Sequence, residues 1–439
     1  METVITLFSP EWMNAWQASI NSSSEYKNHG RKWKEPLILK FSDGLPEIEN
    51  CTGFWLDLSE GTCREIRYAN QEDEKDTPTI LSAEYEVWQN LIKTGKDPLF
   101  LLMKGTISLE KGSLLKLTSQ RKAAKALLQA ASSVIEFDSE SESVPQASDK
   151  KEQAVKTNGS KGGRSEFKTT TQGLDFDSFP MQLFQKAKQL GIWNPSEIDF
   201  SKDKEQWGNF TDLEKTVLMH LTGMFVAGEE AVTLDLLPLI MTVAEEGRIE
   251  EEMFLTSFLW EEAKHTEFFA RFLKEVTGQQ INMEHFHGPA YKALFYQELH
   301  EALERLKRDR SPESQLKASI TYNMIVEGTL AETGYEAYYR MLTENDMLPG
   351  LREGVGHLKR DESRHIAFGL YFIKRLVATN PELQDVLENE AGRLLDKAID
   401  VVNEIFEPYP EMPFGLDKGW YIEYASNQFS KRIAKLLSE

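Results

Sequence analysis

Trp260-Glu-Glu-Ala-Lys-His-Thr-Glu267 contains a glutamate, Glu262, and three residues later a histidine, His265. The same spacing returns about a hundred residues later in Arg360-Asp-Glu-Ser-Arg-His365. Residues three apart are neighbours on a helix surface, so each pair places a carboxylate and an imidazole on one helix face. Two such pairs, with one glutamate from each of two other helices, form the ligand set of two metal ions in a helical bundle. The sequence therefore predicts a redox metal site.

The two other glutamates are predicted to be Glu229 and Glu327, each in its own apolar helical segment. The predicted ligands in chain order are Glu229, Glu262, His265, Glu327, Glu362 and His365. Four carboxylates and two neutral imidazoles suit iron and manganese. No thiolate belongs to the set, which argues against an iron–sulfur cluster or a structural zinc site. Asp361, directly before Glu362, is expected to hold an imidazole N–H.

Two nearby features are not predicted to bind metal. Glu284-His-Phe-His287 lies beside Gly288-Pro289 without a matching partner, and we interpret it as a loop or surface feature. Glu230, next to Glu229, is interpreted as a solvated or supporting residue. An ion pair can explain a single buried glutamate. Four inward-facing glutamates, two of them with histidine at the required spacing, are much harder to explain by packing alone.

The composition excludes several function classes. The chain has 439 residues and a formal net charge of −21, which disfavours sequence-independent binding to nucleic acid or to an anionic membrane surface. Cys51 and Cys63 are its only cysteines, and we interpret them as reduced thiols of a cytoplasmic protein rather than a disulfide. The start of the chain lacks the pattern of a secretory signal. Residues 217–243 are the most apolar stretch, but acidic residues interrupt it, so a buried helix is predicted and no transmembrane segment.

The chain is predicted to have three parts. Residues 137–173 are rich in Ser, Lys, Glu, Gly and Thr and nearly lack large apolar residues, which predicts a flexible linker. Residues 1–136 alternate short apolar runs with turns and predict an α+β domain with an antiparallel sheet. Residues 174–439 predict an all-α bundle, whose first long helix opens with the capping box Thr211-Asp-Leu-Glu214.

The pattern also predicts the individual elements. In the first domain, strands are expected at residues 36–41, 53–58, 63–68, 79–83 and near 105–109, and helices at 10–21, 85–93 and 120–131. In the second, helices are expected from 211 towards 238 and at 249–276, 289–307, 312–343, 351–379, 381–406 and 420–437.

Four motifs of the second half carry a family resemblance: Ala227-Gly-Glu-Glu-Ala-Val-Thr-Leu-Asp235, Trp260 to Glu267, Tyr322-Asn-Met-Ile-Val-Glu-Gly328 and Arg360 to His365. From about residue 172 onwards, the chain resembles the ribonucleotide reductase small-subunit-like proteins of the ferritin-like superfamily, and specifically their ligand-binding oxidases. The resemblance implies a manganese–iron centre that activates O₂, with di-iron as the alternative. It also implies two-electron oxidation, a long-chain fatty-acid-like ligand near the metals and a homodimer.

The resemblance further implies roles for three residues. The family forms an ether cross-link between a tyrosine and the β-carbon of a valine, which correspond here to Tyr322 and Val232. Val232 follows Glu229 by three residues and Tyr322 precedes Glu327 by five, so each lies about one helical turn from a ligand. Tyr335 matches a family tyrosine near the ligand pocket.

Two alternatives remain open for the second half. One is a radical-generating reductase subunit, and the other is a lipid-binding or sensing protein whose metal site reacts only once. Radical-forming subunits usually carry a tyrosine four residues after the first ligand histidine, where this chain has Phe269. They also typically have an aromatic residue in the C-terminal tail, whereas residues 430–439 include no tyrosine. Both differences favour the oxidase.

The first half carries a second resemblance, on Trp55-Leu-Asp-Leu58, the predicted helix at 85–92 and Lys96-Asp-Pro-Leu-Phe-Leu-Leu-Met-Lys-Gly105. It resembles a sterol-carrier-protein-type lipid-binding domain. The resemblance implies lipid carriage, and a tethered carrier would raise the concentration of its cargo at the oxidase. A structural or oligomerising module is the alternative.

Overall fold

A computed structural model of the chain describes residues 6–44, 48, 50–95, 97–135, 167–278 and 282–437. The chain divides into two compact units, Met1–Glu152 and Gln153–Glu439. The first unit combines helices with a sheet, and the second is helical, as the sequence predicts. Most of the predicted linker falls outside the described residues. Its last residues, from Phe167 onwards, include one helical turn, Lys168–Thr171.

The first unit contains one five-stranded sheet within its described residues. Its strands are β1 (Pro36–Phe41), β2 (Gly53–Ser59), β3 (Thr62–Ala69), β4 (Thr79–Ala83) and β5 (Ser108–Lys111). Its helices are α1 (Pro10–Ser22), α2 (Ser24–His29), α3 (Asp73–Asp76), α4 (Tyr85–Thr94), α5 (Pro98–Lys104), α6 (Leu114–Ser119) and α7 (Arg121–Ser132). Each predicted strand and helix of this half overlaps one of these elements.

The strand order is β3-β2-β1-β4-β5, and every neighbouring pair is antiparallel except β1 with β4. The prediction of an antiparallel sheet is therefore wrong for this pair. Strand β2 pairs with one edge of β1 and forms a hairpin with β3. Strand β4 pairs with the opposite edge of β1 and runs parallel to β1. Alternating apolar runs predict strands, but they carry no signal for the edge at which a later strand joins.

Aromatic side chains fill the interior between α1 and the sheet. Trp12 and Trp16 on α1 are fully buried, with ring centroids 4.8 Å apart, and both pack against Phe54 on β2. The indole N–H of Trp16 donates to the carbonyl of Leu127 at 2.9 Å, which connects α1 to α7. Burial of large aromatic rings contributes strongly to the stability of this unit.

The second unit consists of helices. They are α8 (Lys168–Thr171), α9 (Phe179–Leu190), α10 (Ser201–Asn209), α11 (Asp212–Asp235), α12 (Leu237–Glu245), α13 (Ile249–Phe272), α14 (Pro289–Tyr291), α15 (Leu299–Arg305), α16 (Pro312–Ser319), α17 (Glu332–Glu344), α18 (Pro349–Thr379), α19 (Leu383–Phe406) and α20 (Lys418–Leu437). Three π-helical segments continue or join them: Leu273–Thr277, Lys292–Glu298 and Ile320–Ala331. None of the helices in the described part of the chain is both long and apolar enough to cross a membrane.

Local sequence signals explain where the long helices begin and how closely they pack. The predicted capping box opens α11, because the side chains of Thr211 and Glu214 each accept a hydrogen bond from the other residue's backbone N–H. Gly354 on α18 faces the buried ring of Phe268 on α13, and a β-carbon at this position would clash with the ring. The helices that carry the two Glu-x-x-His motifs therefore approach each other closely.

Candidate metal centre

Four helical segments bring the six predicted ligands together in the interior of the second unit. The ligands are Glu229 on α11, Glu262 and His265 on α13, Glu327 on the π-helical segment Ile320–Ala331, and Glu362 and His365 on α18. All are buried. They form two overlapping groups, in each of which the potential ligand atoms lie within 4.8 Å of one another. Glu262 and Glu362 belong to both groups, so each could serve both positions of a dinuclear centre.

Both imidazoles turn Nδ1 towards the carboxylates. Nδ1 of His265 lies 3.3 Å from Oε2 of Glu229 and 3.4 Å from Oε1 of Glu362. Nδ1 of His365 lies 2.9 Å from Oε1 of Glu262 and 3.5 Å from Oε2 of Glu362. Each group thus presents one imidazole nitrogen and several carboxylate oxygens to a common point.

Several of these atoms lack an ordinary hydrogen-bond partner. Oε2 of Glu262, Oε1 of Glu327 and Oε2 of Glu362 are buried without one among the described residues, and the 2.9 Å contact between Nδ1 of His365 and Oε1 of Glu262 lacks the angles of a hydrogen bond. Leaving a buried polar atom unpaired costs about 1–3 kcal/mol. Coordination to a cation would satisfy all of them, so this donor set fits a dinuclear metal centre.

The protonation of the cluster also reflects its excess of carboxylates. Burial raises the pKa of Glu229 and of Glu327 well above the usual carboxyl value. Burial alone would lower the pKa of His265, but the charge of Glu229 and a hydrogen bond to Asp361 raise it well above the usual imidazole value. Bound cations are the largest charges in such a site and reverse this balance, because they favour ionised carboxylates and neutral imidazoles.

Each ligand imidazole contacts an acidic residue of the other Glu-x-x-His helix through its outer nitrogen. Nε2 of His265 lies 3.4 Å from Oδ2 of Asp361, and Nε2 of His365 lies 2.8 Å from Oε2 of Glu261. The role of Asp361 is predicted from the sequence, whereas the corresponding role of Glu261 is not. The available signal was that both Glu-x-x-His motifs are directly preceded by an acid. These contacts direct Nδ1 of each ring towards the metal position.

Basic and aromatic side chains hold the two outer carboxylates in place. Nη2 of Arg364 lies 2.6 Å from Oε1 of Glu261 and 2.6 Å from Oδ1 of Asp361, so one guanidinium joins both acids. The indole N–H of Trp193 donates to Oδ2 of Asp361 at 2.7 Å. Burial opposes ionisation of Asp361, but its hydrogen bond with His265 and the charges of His265 and Lys264 bring the pKa of Asp361 well below its usual value. Asp361 can therefore orient the imidazole of His265 as an ionised acceptor.

The π-helical segment Ile320–Ala331 positions Glu327. The hydroxyl of Ser319 donates to Oδ1 of Asn323 at 2.8 Å, and the amide of Asn323 donates to Oε2 of Glu327 at 3.1 Å. This chain of hydrogen bonds occupies one carboxylate oxygen and leaves Oε1 free for coordination. π-Helical turns often occur at functional sites, as here.

An apolar cavity adjoins the cluster. Its volume is about 800 Å³, which includes space open to the solvent. Its walls include the four ligand glutamates together with Val232 and Tyr335. Tyr322 is fully buried beside the cluster, with its ring 5.8 Å from that of Phe258. Burial and the neighbouring carboxylates raise the pKa of Tyr322 well above its usual value. The structure thus places Val232 and Tyr335 at the cavity and Tyr322 close to the ligand carboxylates.

The features predicted not to bind metal belong to neither group of potential ligands. Glu230 is exposed, and Glu284–Phe286 forms a 3₁₀ turn. The last motif lies in a loop, as predicted, but His287 is not at the surface, because it is 7% exposed. Its Nδ1 lies 2.9 Å from the hydroxyl of Tyr296, and its Nε2 lies 3.1 Å from the carbonyl oxygen of Gly223. These two hydrogen bonds explain how a polar ring is buried here without a metal.

Comparison with known proteins agrees with this geometry. The sequence model of the family described as ribonucleotide reductase, small chain, matches residues 181–434. Among solved structures, a valine-to-leucine variant of an R2-like ligand-binding oxidase with anaerobically reconstituted Mn/Fe cofactor is 38% identical, with a TM-score of 0.60. The match covers 63% of this chain and 99% of that one.

A glutamate-to-aspartate variant of an R2-like ligand-binding oxidase, with aerobically reconstituted Mn/Fe cofactor, is 37% identical, with a TM-score of 0.61. This match likewise covers 63% of this chain and 99% of that chain. The family match, these similarities and the buried cluster of carboxylates and imidazoles lead to one assignment. The chain belongs to the ribonucleotide reductase small-chain family and is a dimetal oxidoreductase of the R2-like ligand-binding oxidase type.

Proposed function

We propose that the chain is an O₂-activating Mn/Fe oxidase that catalyses the two-electron oxidation of a long-chain, apolar ligand. One observation carries the proposal: the walls of the apolar cavity include the ligand carboxylates, so a bound chain would lie against the metal centre. The similar oxidases contain a Mn/Fe cofactor, and the donor set here suits both metals, with di-iron as the alternative loading. When bound, the metals supply the electron transfer to O₂.

The protein's own residues would bind and orient the reactants. Glu262 and Glu362, which belong to both groups of potential ligands, would hold the two ions close together, and the apolar walls would exclude water from the reaction. No lysine, arginine or histidine is found among the described residues that line the cavity. A carboxylate head group of a fatty acid would therefore find positive charge at the loaded metal centre, with its alkyl chain along the apolar wall.

Oxygen uptake distinguishes the proposal from its alternatives. The metal-loaded protein should consume O₂ in large molar excess over its metal centres when a substrate from a panel of long-chain lipids is supplied. The variant Glu327→Ala, which removes a ligand, should lose this activity. Uptake that stops after one equivalent per centre would instead indicate a lipid-binding protein whose metal site reacts once.

We also propose that the centre forms an ether cross-link between the phenol oxygen of Tyr322 and the β-carbon of Val232. The hydroxyl of Tyr322 is buried without a hydrogen-bond partner among the described residues, and Val232 lines the cavity beside Glu229. Forming this C–O bond removes the phenolic and Cβ hydrogens. Their two electrons and two protons pass to O₂.

Peptide mass spectrometry tests the cross-link directly. After loading with metal and O₂, the peptides that contain Tyr322 and Val232 should appear joined, with the loss of two hydrogen masses. The variant Tyr322→Phe provides the control without a phenol oxygen. Separate, unmodified peptides from the wild-type protein would refute the cross-link.

For the first unit we propose lipid binding of the sterol-carrier type. The motifs that carry this resemblance fall on β2, α4 and α5, and α4 buries Trp88, Leu91 and Ile92. Binding stoichiometry for hexadecanoic acid tests this. The variant Gly228→Leu should block the oxidase cavity, because its larger side chain would fill space there. If both units bind lipid, the wild type should bind two molecules of hexadecanoic acid per chain and this variant should bind one. A fall from one to zero would instead indicate a structural or oligomerising module.

We propose that the protein works as a cytoplasmic homodimer. Both cysteines are free and buried, in agreement with a reducing compartment. Leu234 at the end of α11 and Leu237 and Met241 on α12 are exposed apolar side chains that a second copy could cover. Sedimentation equilibrium of the metal-loaded protein should give twice the chain mass. A monomer mass at micromolar concentration would refute the dimer.

A further inference from the structure

Tyr335 on α17 has a polar group that its surroundings do not satisfy. The side chain lines the cavity and is 1% exposed. Its hydroxyl has no hydrogen-bond partner within the described part of the chain. A buried hydroxyl without a partner is unfavourable, and a bound ligand with an acceptor oxygen would recover the lost hydrogen bond.

The tyrosine ring is held in place by stacking. Its centroid lies 4.5 Å from that of Phe225, with 15° between the ring planes, and 6.5 Å from that of Phe269. Tyr335 and Phe269 belong to one apolar cluster of the bundle, and Phe225 packs against that cluster. The ring therefore has a fixed position in a residue of the cavity wall, and a fixed donor is the condition for selective recognition by a single hydrogen bond.

A second tyrosine at the same cavity provides the contrast. Tyr338 also stacks against Phe225, at 5.5 Å, but its hydroxyl lies 2.8 Å from Oγ1 of Thr222 and is thus already paired. One hydroxyl of this wall is satisfied by the protein and the other is not. Of these two tyrosines, only Tyr335 has a hydroxyl that lacks a partner among the described residues and could bind a ligand.

The position of Tyr335 separates this hydrogen bond from the metal centre. Tyr335 follows Glu327 by eight residues, of which the first belong to the π-helical segment and the rest to α17, so the two side chains lie about two helical turns apart. A head group bound at the carboxylate cluster would thus lie some distance from the Tyr335 hydroxyl. An acceptor for that hydroxyl would lie several methylenes further along the ligand.

We propose that the ligand is an oxygenated long-chain acid, with a hydroxyl or keto oxygen along its chain that accepts a hydrogen bond from the hydroxyl of Tyr335. This inference rests on the proposed function, because it takes the cavity as the lipid site. It narrows the substrate class from long-chain acids in general to those with a second oxygen function, and it makes Tyr335 a specificity-determining residue.

Calorimetric binding to the full-length, metal-loaded protein tests the inference, with hexadecanoic acid and a positional series of its hydroxy and keto derivatives as ligands. At least one position should bind about tenfold more tightly than hexadecanoic acid, the size expected for one buried neutral hydrogen bond. Tyr335→Phe should lose this preference and bind hexadecanoic acid at least as tightly as the wild type does. Tyr338→Phe should keep the preference.

The possible failures are distinguishable because the measurement is of binding and not of turnover. Gly228→Leu identifies the cavity site, because its side chain would fill space there and leave the first unit unchanged. If hexadecanoic acid binds at the site that Gly228→Leu removes but no derivative binds more tightly there, or if the preference survives in Tyr335→Phe, the role of Tyr335 is refuted and the cavity site stands. If none of the acids binds at that site, the lipid ligand of the proposed function is refuted together with this inference.

Discussion

At the scale of single residues, the outer partners of the imidazoles decide how firmly the metals are held. Glu261 lies 2.8 Å from Nε2 of His365 and also pairs with Arg364. We predict that Glu261→Gln weakens metal binding about 10- to 100-fold, since the loss of such a partner frees the ring and lowers its basicity. Competition against a chelator, with the retained metal measured by elemental analysis, checks this.

Glu267→Gln is the matched control for this prediction. Glu267 is on the same helix, but its side chain is half-exposed and pairs with Arg271 at 2.6 Å. A surface pair of this kind contributes little. The control variant should therefore retain metal like the wild type, and equal retention by Glu261→Gln would contradict the role given to Glu261.

His220 on α11 makes stability depend on pH. Its ring is buried, with Nδ1 2.9 Å from the hydroxyl of Tyr409 and the ring plane stacked on that of Phe286. Burial, reinforced by the charges of His287 and His285, lowers the pKa of His220 from 6.5 to about 4. The folded protein therefore keeps this imidazole neutral at pH values where the unfolded chain protonates it.

The sign of the pH effect follows from this depressed pKa. The contribution of His220 to the free energy of unfolding is complete above about pH 6.5 and is lost as the pH falls towards 4. We predict that the free energy of unfolding of His220→Gln declines less steeply than that of the wild type as the pH falls across this range. At the acid end, the difference in this decline should be at most roughly 3 kcal/mol. Urea unfolding at several pH values measures it. An unchanged slope would contradict the depressed pKa.

In the candidate site, the sequence also allowed individual ligand residues to be predicted. Ligand chemistry restricts the choice to a few residue types, and helical spacing restricts it again, so six positions could be proposed and the structure brings them together. Glu261 was missed because acids on helices are common and only a three-dimensional contact separates it from a solvated neighbour. The unpaired hydroxyl of Tyr335 likewise has no signature in the sequence.

At the scale of elements, sequence periodicity located the helices but not their internal geometry. Residues 312–343 were predicted as one helix, whereas the structure has π-helical turns at Ile320–Ala331 between α16 and α17. A π-helical turn changes the hydrogen-bond ladder without a distinctive residue pattern. The parallel pairing of β1 with β4 was missed for a similar reason, since it depends on chain tracing between distant strands.

The contact between α13 and α18 gives a prediction for these two elements. A β-carbon at Gly354 would overlap the ring of Phe268, which is fully buried. Gly354→Ala should therefore lower the free energy of unfolding by about 1–3 kcal/mol through overpacking. Urea unfolding of the metal-free protein measures the change without a contribution from metal binding.

Gly208→Ala in α10 serves as the matched control for the glycine substitution. No atom lies within 4 Å of a β-carbon built at Gly208. Alanine favours the helix over glycine by up to about 1 kcal/mol, so this variant should be as stable as the wild type or slightly more so. A Gly354→Ala protein that behaves in the same way would show that the two helices can separate at little cost.

At the scale of the whole molecule, the sequence indicated two unlike halves because their compositions and periodicities differ. The structure divides the chain into two units, one with a sheet and one helical. That the first unit delivers lipid to the second is a separate hypothesis. If the predicted linker, residues 137–173, is a flexible tether, its 37 residues correspond to a root-mean-square span of roughly 35 Å. Such a tether would keep a carrier at roughly millimolar effective concentration near the oxidase.

Cutting the tether in place tests the hypothesis without changing either unit. A protease site inserted within residues 137–166 allows the same preparation to be compared before and after cleavage. When hexadecanoic acid is supplied from vesicles at limiting concentration, loading of the oxidase cavity should slow severalfold after cleavage, because the carrier is then diluted into bulk solution. At saturating lipid the two rates should converge, since delivery no longer limits loading. Equal rates at limiting lipid would show that the first unit does not deliver cargo to the second.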